Sequence, residues 1–170
     1  MYEDLGPDLD NLKARAAEKK SENRRFFKKL RQKPPKDLDQ VARQAHEAVF
    51  AQTDCLDCAN CCKTTGPLFT QTDIARIAAS LRMKPGAFIS TYLRLDEEGD
   101  YVLQSVPCPF LGPDHYCSIY PDRPKACREY PHTDRRKIHQ IGELTVRNTA
   151  ICPAAFRIVE AMKARLPQYR

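Results

Sequence analysis

The eight cysteines of this chain form a tight cluster and a downstream group. The cluster is Cys55-x-x-Cys58-x-x-Cys61-Cys62, and the downstream residues are Cys108, Cys117, Cys127 and Cys152. A two-residue spacing lets the backbone wrap a metal, because residues i and i+3 can face one point. Three such cysteines with a remote Cys-Pro are typical of bacterial ferredoxins. The pattern predicts that all eight bind metal, as an iron–sulfur cluster or alternatively as zinc.

Cys61 and Cys62 are adjacent, and the side chains of adjacent residues usually diverge. We therefore expect one of two arrangements. Either the chain has two metal centres, or one of the two cysteines is a bridging, structural or reactive thiol. Eight ligands divide into two sets of four, and we predict that Cys61 belongs to one set and Cys62 to the other. The first set is Cys55, Cys58, Cys61 and Cys152, and the second is Cys62, Cys108, Cys117 and Cys127.

Two alternatives to metal binding are a disulfide framework and ordinary burial in the core. Ordinary burial remains an alternative for Cys127 and Cys152 taken singly. The N-terminal residues 1–8 are acidic and lack the apolar segment of a secretion signal. No stretch approaches the roughly 18 apolar residues of a membrane span. We therefore expect a cytoplasmic protein with no membrane partner, in which thiols stay reduced and available to metal.

The elements that must position these cysteines are mostly helical. Apolar spacing predicts a charged helix over about 9–32, ended by Pro34-Pro35, and a second from Leu38 to Val49. Three further helices are predicted. One begins after Thr70, which forms a capping box with Asp73, and the others begin at Pro85 and Pro153. A turn at 96–100 precedes a predicted strand at 101–106, and 144–146 is a second candidate strand.

These elements predict a fold that is mainly α with a short β-hairpin. The chain has no Trp and only seven Phe and seven Tyr, so its core is modest and metal would help to organise it. We expect a basic helical N-terminal arm over residues 1–36, and over 37–170 a small metal-organised domain with a loop-rich cysteine cluster.

The net charge of +6 comes mainly from the arm. Residues 11–36 carry eleven Lys or Arg against two Glu. The cations run around the predicted helix, so a solvated helix docked at its ends is expected and nucleic acid is an unlikely partner. The sequence has no Gly-rich phosphate loop, nucleophile elbow or dinucleotide fingerprint, which argues against nucleotide-dependent enzymes and ordinary hydrolases.

Arg123, Arg128 and Asp73 lie in or near the cysteine motif. An arginine there could offset thiolate charge or bind an anionic substrate. We expect instead a salt bridge between the arginine loop and the helix that carries Asp73.

The chain resembles the CxxCxxCC cysteine-cluster family, which is described as zinc- or iron-chelating. The resemblance covers about two thirds of the chain and rests on long motifs: Cys55-x-x-Cys58-x-x-Cys61-Cys62, Cys108-Pro109-Phe110-Leu111, and Cys117-x-Ile119-Tyr120-x-x-Arg123-Pro124-x-x-Cys127-Arg128-x-Tyr130-Pro131. It implies a metal-binding protein, commonly an iron–sulfur protein, with an unidentified protein or small-molecule partner.

The resemblance leaves open whether the protein is an enzyme. A relative, the flagellin lysine N-methylase, carries a similar domain, so a cluster-dependent protein-modifying enzyme is a further alternative. Such an enzyme would need an open iron position or a reactive thiol, for which Cys62 is the candidate. A zinc-stabilised structural or interaction module would need neither.

Overall fold

The structure is a computed structural model that describes residues 9–170, with the side chain of Asp10 excepted. The acidic residues predicted to begin the arm lie outside the described residues. The described chain is mainly helical with a small antiparallel sheet, which confirms the predicted fold class.

Nine α-helices and three strands follow one another in the described part of the chain. They are α1 Leu9–Gln32, α2 Leu38–Phe50, α3 Cys55–Cys58, α4 Asn60–Thr64, β1 Leu68–Phe69, α5 Gln71–Ser80, α6 Pro85–Tyr92, β2 Leu93–Leu95, β3 Tyr101–Leu103, α7 Lys125–Glu129, α8 Gly142–Asn148 and α9 Pro153–Arg165. Short 3-10 helices lie at Tyr120–Asp122, Ile138–Ile141 and Pro167–Tyr169.

The chain divides into two compact units. The helical unit comprises the described residues up to Cys55 together with Pro131–Arg170, and the cysteine unit is Leu56–Tyr130. The predicted boundary between an arm and a domain at residue 36 stays a prediction.

The helical unit has a core built from α1, α2 and α9. Every predicted apolar position of α2 is buried, as its 3.6-residue periodicity requires: Leu38, Val41, Ala42, Ala45 and Val49. Helix α1 contributes Phe26, Phe27 and Leu30 to the same core. Its first half packs separately, with Leu12 and Ala16 against Phe156 of α9. The expected apolar contacts at both ends of α1 are therefore present.

The cysteine unit packs α5 and α6 on the sheet. Its core is mostly aromatic and branched aliphatic: Phe69, Ile74, Ile77, Ala78, Phe88, Leu93, Leu103, Phe110 and Ile119. Strands β2 and β3 form the predicted hairpin, and β1 adds to the other side of β3, which the sequence did not indicate. In the hairpin turn, Asp96 Oδ1 accepts from the amides of Glu98 and Asp100.

The strand predicted over residues 144–146 is wrong, because this segment lies in α8. Its β-branched residues Thr145 and Val146 are buried in the helical unit. Gly142, at the start of α8, allows a close approach to α1: an added Cβ would lie 2.7 Å from Phe27 Cβ. Burial against neighbouring helices has overridden the local β preference.

Within residues 9–170, no helix combines the length and apolar character needed to cross a membrane.

Candidate metal centre

All eight cysteines are free thiols. Cys55 and Cys152 belong to the helical unit, and the other six belong to the cysteine unit. Helix α3 carries Cys58 at its end, and α4 carries Cys61 and Cys62. The two short helices meet at Ala59, whose left-handed backbone (φ 48°) breaks the helical run between Cys58 and Cys61.

The thiol of Cys61 donates a hydrogen bond to the sulfur of Cys62. This hydrogen bond stabilises the thiolate and lowers the pKa of Cys62 to about 7, against the opposing effect of burial. The sulfurs of the adjacent cysteines are therefore hydrogen-bonded to each other, contrary to the expectation that these two side chains diverge, and their ionisation is linked.

The backbone connects Cys62 directly to the downstream group. The amide of Cys108 donates a 2.8 Å hydrogen bond to the carbonyl of Cys62. An isolated bridge pairs Leu111 with Cys117, and the amide of Ser118 donates to the carbonyl of Phe110. These contacts bring the turn after Cys108 alongside the turn after Cys117.

Both turns direct amides at sulfur. The amides of Phe110 and Leu111 donate to Cys108, and the amide of Ile119 donates to Cys117. Donors of this kind stabilise a thiolate and orient it for a metal, as hydrogen bonds around metal-bound sulfur do. The turn chemistry therefore suits a thiolate ligand better than an inert buried thiol.

Burial is nevertheless the largest influence on the downstream thiols. It raises the pKa of Cys108 to about 11 and that of Cys127 to about 12, and it also raises the pKa of Cys117. The negative charge of Cys62 adds to each of these increases. The four thiols of Cys62, Cys108, Cys117 and Cys127 therefore lie close enough to affect one another's ionisation, and we call them the four-thiol group.

Cys127 is positioned through Asp73, which is 1 % exposed. Asp73 Oδ1 accepts from the amide of Lys125 at the start of α7 (3.1 Å). It also accepts from Arg76 Nη2 (2.7 Å), while Oδ2 closes the predicted capping box with Thr70. One buried carboxylate thus joins the beginning of α5 to the helix that carries Cys127.

The expected salt bridge between the arginine loop and the helix that carries Asp73 is wrong, because Asp73 pairs with Arg76 of its own helix. Arg76 also donates to the carbonyls of Asp122 and Arg123. The sequence feature that indicates this pair is the i+3 spacing of Arg76 from Asp73 on the predicted helix.

Arg123 is instead held against Tyr120. Its guanidinium carbon lies 3.9 Å from the ring centroid, and Nη1 donates to the Tyr120 carbonyl at 2.8 Å. From there its positive charge acts to lower the pKa of Cys117 and Cys127 against their burial. Its position fits the other role considered for it, that of offsetting thiolate charge.

The first predicted set is divided between the two units. Cys58 and Cys61 belong to the cysteine unit, whereas Cys55 and Cys152 belong to the other. Cys152 is the N-cap of α9, where its sulfur accepts from the amide of Ala155 at 3.5 Å. A shared centre for these four stays a prediction.

The four-thiol group fits a metal by its donor chemistry. Four sulfurs, three sulfur-directed amides and one nearby guanidinium suit a centre with thiolate ligands and surplus negative charge. Among residues 9–170, no group of three or more Cys, His, Asp or Glu side chains is placed so that it could hold a metal ion as it stands. The fit therefore rests on which donors are neighbours and on how their charge is compensated.

The fold and this group of neighbouring thiols define a small, mainly helical cysteine-cluster protein that binds metal. Residues 54–153 match the model of the CxxCxxCC family, described as "Putative zinc- or iron-chelating domain". The chain belongs to this family. No curated protein and no solved structure matches the chain.

Proposed function

We propose that the four-thiol group holds an iron–sulfur cluster in a cytoplasmic protein. The observation that supports this most is the pair of turns that direct the amides of Phe110, Leu111 and Ile119 at the sulfurs of Cys108 and Cys117. Hydrogen bonds to cluster-bound sulfur are among the main means by which a protein sets the reduction potential of such a centre.

The chain's own residues would have defined tasks around the cluster. Arg123 offsets the negative charge of the thiolates of Cys117 and Cys127, and Asp73 fixes the helix that presents Cys127. Packing of Cys108 and Cys117 against the unit's aromatic core limits water around them. The cluster, when bound, would supply one-electron redox chemistry or a Lewis-acidic iron.

Zinc is the second candidate, supported by the same donors. Four thiolates close a tetrahedral structural zinc site, and amides directed at the sulfurs are equally useful there. In that case the protein would be a structural or interaction module, and the metal would serve only to hold the two turns and α7 together.

Metal analysis and visible absorption distinguish the two candidates. Protein purified without oxygen should contain iron and inorganic sulfide and should absorb in the visible region, with loss of colour on oxidation. Cys117→Ser should abolish the colour, whereas Ser118→Ala, which changes an adjacent side chain, should preserve it. A colourless protein with stoichiometric zinc and no sulfide would reject the cluster and leave the zinc module.

A further inference from the structure

An open cavity of about 370 Å³ lies in the helical unit, beside α1. Four cations of α1 line it, namely Arg24, Arg25, Lys28 and Arg31. We infer that this cavity binds a small compound that carries phosphate groups. The site is in a different unit from the four-thiol group and does not depend on the identity of the metal.

The cations of the cavity are only partly neutralised. Arg24, Lys28 and Arg31 follow one another at i, i+4 and i+7 and share one face of α1, a spacing at which like charges destabilise a helix. Glu143 pairs with Arg24, accepting at Oε2 from Nε (3.2 Å) and Nη2 (3.1 Å). Among the described residues, Arg25, Lys28 and Arg31 have no side-chain partner. An anionic ligand would remove this repulsion.

The remaining walls add polar side chains and one aromatic residue. His139 and Gln140 come from the 3-10 helix, and Gly142 opens α8. Phe27 lies against the backbone of Gly142 so closely that no side chain fits between them. The volume is in the range of sites for small molecules, and the mostly charged and polar lining suits a charged ligand.

Phosphate is the anion that these donors suit best. A guanidinium can bind two phosphate oxygens at once, and an ammonium adds a point charge. A concave wall of low dielectric constant also concentrates their positive potential, which favours a ligand with several negative charges.

An extended nucleic acid is a poorer match. Other cations of α1 are engaged elsewhere: Lys19 pairs with Glu22, and Lys29 donates to the carbonyl of Arg170. Of the cations of α1 that are unpaired in the described part of the chain, Arg25, Lys28 and Arg31 line the cavity, whereas Lys13 and Lys20 lie outside it. A sugar–phosphate backbone that follows the helix would use both groups, whereas a small phosphate compound would use only the first.

Calorimetric titration with inorganic pyrophosphate at constant ionic strength tests the site on the full chain. The triple variant R25Q/K28Q/R31Q should bind pyrophosphate at least tenfold more weakly than wild type. The matched control K13Q/K20Q/K36Q removes three exposed, unpaired cations of the basic segment outside the cavity. It should stay within about twofold of wild type.

Three results would overturn the inference. They are an absence of pyrophosphate binding by wild type, an equal weakening of binding in both triple variants, and a cavity variant R25Q/K28Q/R31Q that binds pyrophosphate as tightly as wild type does. A 20-nucleotide single-stranded DNA that both triple variants weaken equally, and that displaces pyrophosphate, would assign the cations to nucleic acid and also overturn it. Thermal melting checks that each variant folds. If the triple variant does not fold, Lys28→Gln alone is compared with Lys20→Gln, with a loss of about threefold expected.

Discussion

The amide of Cys108 donates a 2.8 Å hydrogen bond to the carbonyl of Cys62. This contact joins the last cysteine of the first cluster to the first cysteine of the downstream group. Because the two backbones are held together here, the thiols on either side of the contact belong to one neighbourhood, and substitutions at either should affect the same centre.

Serine substitutions should separate the cysteines into two classes. Cys62→Ser and Cys108→Ser should each lose the same metal signal, because both residues belong to the four-thiol group. Cys58→Ser and Cys61→Ser should share a different loss, since we assign both to the other set. Metal content and absorption spectra of identically prepared anaerobic samples provide the measurement. Identical losses for Cys61→Ser and Cys62→Ser would instead indicate one centre that uses both thiols.

Metal affinity should rise steeply with pH. Burial holds the pKa of Cys108 at about 11 and that of Cys127 at about 12, and raises that of Cys117, so these groups are protonated thiols at neutral pH without metal. Metal binds thiolates, so binding must release these protons.

Competition between the metal-free protein and a chromophoric zinc chelator between pH 6.5 and 7.5 measures this effect. Three buried thiols and part of the Cys62 population are protonated, so three to four protons are released and affinity should increase on the order of 1,000- to 10,000-fold per pH unit. Calorimetry in two buffers of different ionisation enthalpy counts the protons directly. An affinity that does not change with pH would mean that the buried thiols are not the ligands.

Asp73 should contribute to stability at neutral pH and lose that contribution in acid. Burial raises the pKa of Asp73, but hydrogen bonds from Thr70, Arg76 and the amide of Lys125 outweigh it and hold the pKa at about 2. A folded pKa below the usual value of 3.8 stabilises the folded state above about pH 4, and this is lost as pH falls towards 2.

Asp73→Asn should therefore lower the free energy of unfolding by about 2 kcal/mol at pH 7, with a much smaller difference near pH 2.5. Denaturant unfolding at both pH values measures it. Glu97→Gln is the control, because Glu97 is an exposed turn carboxylate of the same unit. A loss for Asp73→Asn that is equal at both pH values would contradict the linkage.

Gly142→Ala should destabilise the helical unit. The added Cβ would lie 2.7 Å from Phe27 Cβ and 3.0 Å from Phe27 Cγ, and Phe27 is itself in a packed core. Overpacking of this kind costs about 1–3 kcal/mol. Gly86→Ala is the matched control, since nothing lies within 4 Å of the added Cβ in α6 and a small stabilisation is expected. Thermal melting of both variants tests this prediction. An unchanged melting temperature for Gly142→Ala would show that α8 can move away from α1.

The sequence by itself determined the features that depend on neighbours in the chain. The capping box of Thr70 and Asp73, the helix start at Pro153 and the turn at 96–100 formed as predicted. The cysteine spacing likewise identified the family. The cap, the helix start and the turn are each complete within a few residues, and the family motif is a matter of residue order, so no distant contact was needed to recognise them.

Only the tertiary structure decided the partners that are distant in sequence. In the structure, Asp73 pairs with Arg76 and accepts a hydrogen bond from the Lys125 amide, and Arg123 packs on Tyr120. Residues 144–146 are helical and contact α1. It also gathered cations that run around α1 in sequence onto one cavity. The physical reason is that burial, close packing and electrostatic reach depend on distance in space, and local spacing does not specify which distant surfaces will meet.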